Sequence, residues 1–383
     1  MKRLLTVGGG SGGHVTPIVS VIQEIQNSHP DIEIRFWCDK RFYHQAVKIM
    51  HSYDNSIPIR VISSGKYRRY HHLSAVQHLI TPSVIFPNII DFFKVMIGIV
   101  QSLFLLIFWR PDVVFAKGGF VCLPVGIASW ILRVPLVIHD SDAIPGLTNK
   151  ILAPIASRIA TGVPLEHYNY PMRKAVYVGI PIDPSYKKAS YRDQQLLKSK
   201  LGFDTQRPLV VVSGGGLGAR SINDAMVQQL KSILTVANVL LISGMAQYDE
   251  LRSLSPVADK RFKLVDFLPG LADAFRAADI VVTRAGATTL LELAALEKPT
   301  ILIPNKRLKW QVEHAQLFVD AEAVVLLDED NFRLAGDLTI SSAVSNILQS
   351  EKKQKALENN IKKFARPKAA SDLAKIISIA AKK

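Results

Sequence analysis

"LLTVGGGSGGHVTP", residues Leu4 to Pro17, decides the fold. Apolar residues run from Leu4 to Val7, and five glycines follow between Gly8 and Gly13. His14, Pro17 and the apolar-periodic segment VIQEI come next. That order predicts a strand, a tight glycine turn and a helix. Glycines let the backbone approach a ligand closely, and the new helix offers free N–H groups and a positive dipole end to an anion. Gly8, Gly10 and Gly13 also fit G-x-G-x-x-G, with Asp39 ending a second apparent strand, IEIRFWCD. A dinucleotide-binding loop is therefore one reading. It rests on a short, common pattern, and the rest of the chain decides it.

The pattern restarts. "VVVSGGGLGARSIN", Val210 to Asn223, repeats the apolar strand, the glycine cluster and the helix start. Strand-like runs alternate with helical ones on both sides of it. RLLTV, IEIRFW, IRVIS, PDVVFA, PLVIHD, SRIAT and AVYVG come first; PLVVVSG, NVLLISG, FKLVDF, DIVVTR, PTILIP and AVVLL follow. Apolar strands alternating with helices predict parallel sheets covered on both faces. Between the halves, Gly179–Pro208 is polar and proline-marked, which places a boundary near Pro184. The chain is 383 residues long and 48% hydrophobic, enough for two cores. Two Rossmann-like domains facing a cleft is the predicted α/β architecture, spanning residues 1–184 and 185–365.

The net charge is +15, from 47 Lys and Arg against 32 Asp and Glu. Such a balance suits nucleic acid, an anionic membrane or phosphorylated substrates. The basic runs near the C-terminus read as solvated helix faces, and no zinc-finger or RNA-recognition motif accompanies them, so no nucleic-acid partner is expected. Cys38 and Cys122 are too few for a disulfide framework and are expected as free thiols in a cytoplasmic protein. The N-terminus, MKRLLTVGGG, has no signal-peptide pattern. "VMIGIVQSLFLLIFW", Val95–Trp109, is nearly all apolar, but its 15 residues fall short of the roughly 20 that span a bilayer. It is read as a core helix packed on the sheet. Just before it, the basic, aromatic stretch KYRRYHHLS adjoins proline-marked apolar residues, LITPSVIFPNIIDFF. That pairing, near Tyr67–Phe93, is expected to touch an anionic membrane surface peripherally.

The second glycine loop, Gly214 to Gly218, should hold a pyrophosphate on its backbone N–H groups, with Arg220 adding charge. In "DIVVTRAGATTLLELAALEKP", a strand ends at Arg284 and a helix carries Glu292 within its first two turns. A carboxylate there can accept from both hydroxyls of a ribose; on this stretch alone, a Glu favoured by the helix dipole is the stronger reading. "ILIPNKRLKWQVEHA" puts Gln311 near a helix start, where an amide can read sugar hydroxyls or simply lie exposed. In the first half, "AKGGFVCLPVGIAS" is a third strand–glycine–helix turn, and "IHDSDAIPGLTNK" gathers His139, Asp140, Asp142 and Asn149. With His14 these give one domain several acid–base groups. No HxH or HExxH spacing occurs, so no metal is expected.

Taken in order, these motifs resemble the MurG family. They are Gly9–Gly10–Ser11–Gly12–Gly13–His14, then Gly118–Gly119–Phe120 with Pro124 and Gly126, then His139–Asp140 with Gly146–Leu147–Thr148–Asn149. Gly214–Gly215 with Gly218–Ala219–Arg220, and Arg284 with Gly286, Leu290 and Glu292, complete the set. The resemblance runs from Met1 to about Leu327. It implies a GT-B fold and an inverting, metal-independent transfer without a cofactor. N-acetylglucosamine would pass from UDP-GlcNAc to undecaprenyl-pyrophosphoryl-MurNAc-pentapeptide, giving lipid II of peptidoglycan, at the cytoplasmic membrane face. It implies acceptor-site roles for Ser11, Gly12, Gly13, His14 and Asn149. UDP-sugar contacts would fall to Gly215, Gly216, Arg220, Arg284, Glu292, on the ribose, and Gln311, on the transferred sugar. The last helix, about residues 366–383, is expected to pack back on the first domain.

Departures from the family pattern mark a divergent member. His139–Asp140–Ser141–Asp142 stands where H-E-Q-N is usual, Gly179–Ile180–Pro181–Ile182–Asp183 replaces a turn with a cation, and Gly216 replaces a Ser. For the proton taken from the acceptor hydroxyl, His14 is the expected base and Asp142 an orienting group or rival base. Other readings are a related transferase on another lipid-linked acceptor or on diacylglycerol, a nucleotide-sugar 2-epimerase sharing the fold, and a non-catalytic binding subunit. A dehydrogenase would leave Glu292 and the second loop without a role.

Overall fold

The computed structural model describes residues 1–68, 81–254, 259–330 and 339–382. The chain divides into two compact units, Met1–Asp183 with Pro367–Lys383, and Pro184–Arg366.

Unit 1 holds a seven-stranded sheet of β1 (Arg3–Gly8), β2 (Glu33–Cys38), β3 (Ile59–Val61), β4 (Val113–Gly118), β5 (Leu136–Asp140), β6 (Arg158–Thr161) and β7 (Ala175–Tyr177). Its order is β3-β2-β1-β4-β5-β6-β7, and every pairing is parallel. The central strands β1, β4 and β5 are buried on both faces, which is why they read as mostly apolar runs rather than alternating ones. Helix Thr16–Ser28 seats Ile18, Val21, Ile22 and Ile25 in one core. The C-terminal helix Ala369–Ala380 adds Leu373, Ala374 and Ile377 to that same core.

Unit 2 repeats the plan with β8 (Leu209–Ser213), β9 (Asn238–Ile242), β10 (Phe262–Val265), β11 (Ile280–Thr283), β12 (Thr300–Leu302) and β13 (Val325–Leu326). The order is β10-β9-β8-β11-β12-β13, again all parallel. In each sheet the first strand of the unit lies centrally, and the chain winds outward from it in both directions. The loops leaving β1 and β4, and those leaving β8 and β11, therefore diverge at a switch point. Ligands of open α/β sheets bind in such crevices at strand C-termini.

Helix Pro82–Trp109 corrects the reading of the apolar segment before β4. It is one continuous helix of 28 residues, with Pro82 in its first turn and Pro87 inside it, rather than a proline-broken stretch followed by a shorter core helix. Only one stripe is buried: Val84, Asp91, Val95, Gly98, Ser102, Leu106 and Trp109. The spacing is that of one helical face. The other face exposes Phe86, Ile90, Phe93, Ile97, Val100, Phe104 and Phe108. By length and composition the helix could cross a membrane. However, its buried stripe runs end to end and is tied to the unit where Arg68 pairs with the Asp91 carboxylate (3.3 Å) and where Gln101 donates to the Val61 carbonyl and accepts from the Ser63 N–H (both 3.0 Å). Of the basic stretch expected to touch a membrane, Lys66, Tyr67 and Arg68 are described; residues 69–80 lie outside the described residues.

Candidate active site

The end of β1 enters a 3-10 turn, Gly12–His14, and then helix Thr16–Ser28. Ser11 is exposed, and Gly12 and Gly13 are half-buried beside His14. The buried Asp39 accepts from the Gly10 N–H (2.7 Å) and from the N–H groups of Arg41 (3.0 Å) and Phe42 (3.1 Å). Its carboxylate is spent on holding the loop. This removes the acidic partner that a dinucleotide reading needs for ribose.

The His14 Nδ1 lies 2.7 Å from the Gly9 carbonyl oxygen. A carbonyl only accepts, so Nδ1 carries the proton and donates. In the neutral ring Nε2 is then the acceptor. Nε2 faces Gly118: a Cβ placed there would stand 3.3 Å from it, and Gly118 has φ +127°. Only glycine lets β4 pass this close to the ring. Burial, and then the charge of Lys117, lower the His14 pKa, which keeps the imidazole neutral.

His14 lines a cavity of about 220 Å³ within unit 1, together with Lys117, Gly118, Gly119, Asp142 and Asn149. Asp142 therefore shares the pocket with His14. Asn149 is buried in helix Leu147–Leu152. Its Nδ2 donates to the His139 carbonyl (3.3 Å), while its buried Oδ1 has no hydrogen-bond partner among the described residues. Asp140 lines the same cavity and accepts from the Tyr170 hydroxyl at 2.7 Å. Burial, with Asp142 nearby, pushes its pKa up to about 6 against that hydrogen bond. Sequence reading passed over Lys117, which lines this pocket, and Tyr170, which donates to its Asp140. The signal for Lys117 was present: one cation inside the apolar run VVFAKGG.

In unit 2 the glycines divide the work. A Cβ at Gly214 would collide with Ala219, and one at Gly218 with the Ser243 carbonyl, so these two exist for close packing. Gly215 and Gly216 have open space on their side-chain side and are exposed. Arg220 opens helix Arg220–Val236 and pairs in fork geometry with Glu250 (3.0 and 3.2 Å). Glu292 is buried in helix Ala287–Leu296. Gln311 is buried too, not exposed, and its Oε1 accepts from the Asn305 N–H (2.9 Å). Arg284, expected among the UDP-sugar contacts, directly follows β11 with its guanidinium engaged by neighbouring groups. Its guanidinium donates to Glu329 (2.6 Å), the Ser221 hydroxyl (2.8 Å) and the Ile303 carbonyl (2.9 Å). It braces β11 and β12 to the helix behind the glycine loop, and its contact with a donor would run through that brace.

Two family models match the chain, the glycosyltransferase family 28 N-terminal domain over residues 4–161 and the C-terminal domain over residues 209–373. A Bacillus cereus protein named UDP-N-acetylglucosamine--N-acetylmuramyl-(pentapeptide) pyrophosphoryl-undecaprenol N-acetylglucosamine transferase 2 is 31% identical, with 99% of both chains covered. The chain belongs to the MurG family. A Clostridium botulinum transferase of the same name is 35% identical over 79% of both chains. The crystal structure of Acinetobacter baumannii MurG has the same fold, with a TM-score of 0.73 at 20% identity over 99% of this chain and 100% of that one. The GT-B class inferred from the motifs holds for this MurG-family chain: two parallel α/β units, each with a glycine loop at its switch point.

Proposed function

We propose that this chain transfers N-acetylglucosamine from UDP-GlcNAc to the MurNAc 4-hydroxyl of undecaprenyl-pyrophosphoryl-MurNAc-pentapeptide, converting lipid I to lipid II. The observation that carries this reading is the 31% identity to a transferase of that name across 99% of both chains. The acceptor is assigned to unit 1, where Ser11, Gly12, Gly13 and the open Oδ1 of Asn149 supply polar contacts. The donor is assigned to unit 2: Gly215 and Gly216 offer backbone N–H groups to the diphosphate, Arg220 adds charge, and Glu292 takes the ribose hydroxyls. Gln311, oriented through its bond to Asn305, reads the sugar with its NH2 group.

The acceptor oxygen attacks C1 of the donor sugar as the bond from C1 to the diphosphate oxygen breaks. The electron pair leaves with UDP, and the configuration at C1 inverts. The hydroxyl proton passes to His14 Nε2, whose lone pair is fixed by the bond from Nδ1 to Gly9. Asp142, in the same pocket, orients the hydroxyl or the ring. No metal or cofactor enters this scheme.

The reaction site is at the cytoplasmic membrane face. Support comes from the apolar outer face of helix Pro82–Trp109 and the net charge of +15. A helix packed along its whole inner face presents its outer face to lipid lengthwise, as peripheral amphipathic helices do. Incubation with radiolabelled UDP-GlcNAc and lipid I, followed by phase separation, tests the reaction. Label in the lipid phase is the expected result. Label transferred only to a different lipid acceptor would replace the acceptor assignment, and altered free sugar without labelled lipid would point to epimerase chemistry.

A further inference from the structure

Lys117 is 1% exposed, yet it stands on a sheet strand beside an open cavity. It is the fifth residue of β4, Val113–Gly118, whose other members are apolar or glycine. Its ammonium donates to the Ser141 hydroxyl. Ser141 lies 3.4 Å from His139 Nδ1, and His139 Nε2 lies 2.8 Å from the Gly179 carbonyl oxygen. The last contact fixes the proton of His139 on Nε2, because a carbonyl only accepts. Nδ1 then accepts from Ser141, and Ser141 accepts from Lys117. Every donor in this buried chain points one way, and its origin is the ammonium. An ammonium has three N–H bonds, and Ser141 uses one.

We propose that Lys117 is a positioning residue of the transfer site: anchored through Ser141, it presents a fixed positive charge to His14 across the acceptor pocket. The inference rests on the reading of His14 as base. A nearby like charge disfavours protonation of an imidazole. His14 is faced by Lys117 from β4, by Asp142 from the loop after β5, by Asp39 from the end of β2, and by His139 from β5. The two carboxylates favour the imidazolium; Lys117, after burial, opposes it. Burial pushes Lys117 itself down to about 8, against the pull of Asp142 and Asp140. Below that pH it remains the cation that keeps the base free of its proton before the acceptor binds.

The test compares pH profiles of kcat/KM for the wild-type chain, Lys117→Gln, Lys117→Met and Lys117→Arg, with lipid I as acceptor. Gln keeps a donor for Ser141 and loses the charge; Arg keeps the charge. The acid limb should move up by about one pH unit in Lys117→Gln and Lys117→Met, and Lys117→Arg should restore it. The His14 ring resonances, titrated by NMR in wild type and Lys117→Gln, should show the same upward movement without any turnover. An unmoved His14 titration overturns the proposal. A moved titration with an unmoved rate profile leaves the electrostatics intact and removes His14 as the base, so the two failures are distinct.

Discussion

The Tyr170 hydroxyl donates at 2.7 Å to the carboxylate of Asp140, which lines the same pocket as His14. The bond lowers the carboxyl pKa, but burial outweighs it and the value rises to about 6. A raised folded-state pKa means that the native chain holds this proton where the unfolded chain releases it. The contribution to stability is fully present below the unfolded value of about 3.9 and is lost as pH rises through about 6. Asp140→Asn accepts the same hydroxyl without a charge. Its thermal stability relative to wild type should therefore improve between pH 4 and pH 7.5, by up to about 3 kcal/mol. A constant difference across that range would show that Asp140 is charged throughout.

Gly216 and Gly218 stand two residues apart and should behave oppositely. A side chain at Gly218, with φ +76°, meets the Ser243 carbonyl. Gly218→Ala should cost about 1–3 kcal/mol in urea unfolding. Gly216 has open space, so Gly216→Ala should leave stability within about 0.5 kcal/mol and weaken UDP binding by calorimetry. Unaltered UDP affinity in Gly216→Ala would take this loop out of the donor site.

Glu292→Ala should raise the donor KM by tens of fold, because a hydrogen bond to a charged group contributes about 1.5–3 kcal/mol. UDP affinity should fall in parallel, while a nucleoside diphosphate lacking ribose hydroxyls should bind wild type and variant alike. Equal loss for both nucleotides would make Glu292 a residue of the fold and not of ribose recognition.

Phe104 and Phe108 lie on the exposed face of helix Pro82–Trp109, 62% and 74% exposed. Phe104→Glu should lower partition onto anionic vesicles about tenfold or more, since each buried Phe contributes about 1.5–3 kcal/mol. Added salt should weaken wild-type binding without abolishing it. Unchanged partition of the variant would assign this face to another partner.

Much of this was legible because parallel strands buried on both faces leave continuous apolar runs. Among the described residues, inner strands such as β8, β9 and β11 were marked by such runs, the edge strands by shorter ones, and both glycine loops by their glycine clusters. Helix Pro82–Trp109 was obscured by Pro82 and Pro87, which read as breaks. Pro82 occupies the first turn, where no N–H is needed, and the helix continues through Pro87. The brace on Arg284 was invisible for another reason. Its partners Ser221 and Glu329 lie far off in sequence and meet it only through the sheet order. Lys117 was overlooked because a lysine normally signals surface, and only the fold shows that β4 is central and its ammonium buried.

The most direct measurement is kcat for lipid I glycosylation by His14→Ala and Asp142→Asn, with UDP affinity measured on the same preparations. His14 Nε2 is fixed as an acceptor in the pocket, and loss of a general base typically costs roughly 10²–10⁴ in rate. The account predicts a fall of that size for His14→Ala with UDP binding intact, and a milder fall for Asp142→Asn. An inactive Asp142→Asn beside a nearly normal His14→Ala would contradict it.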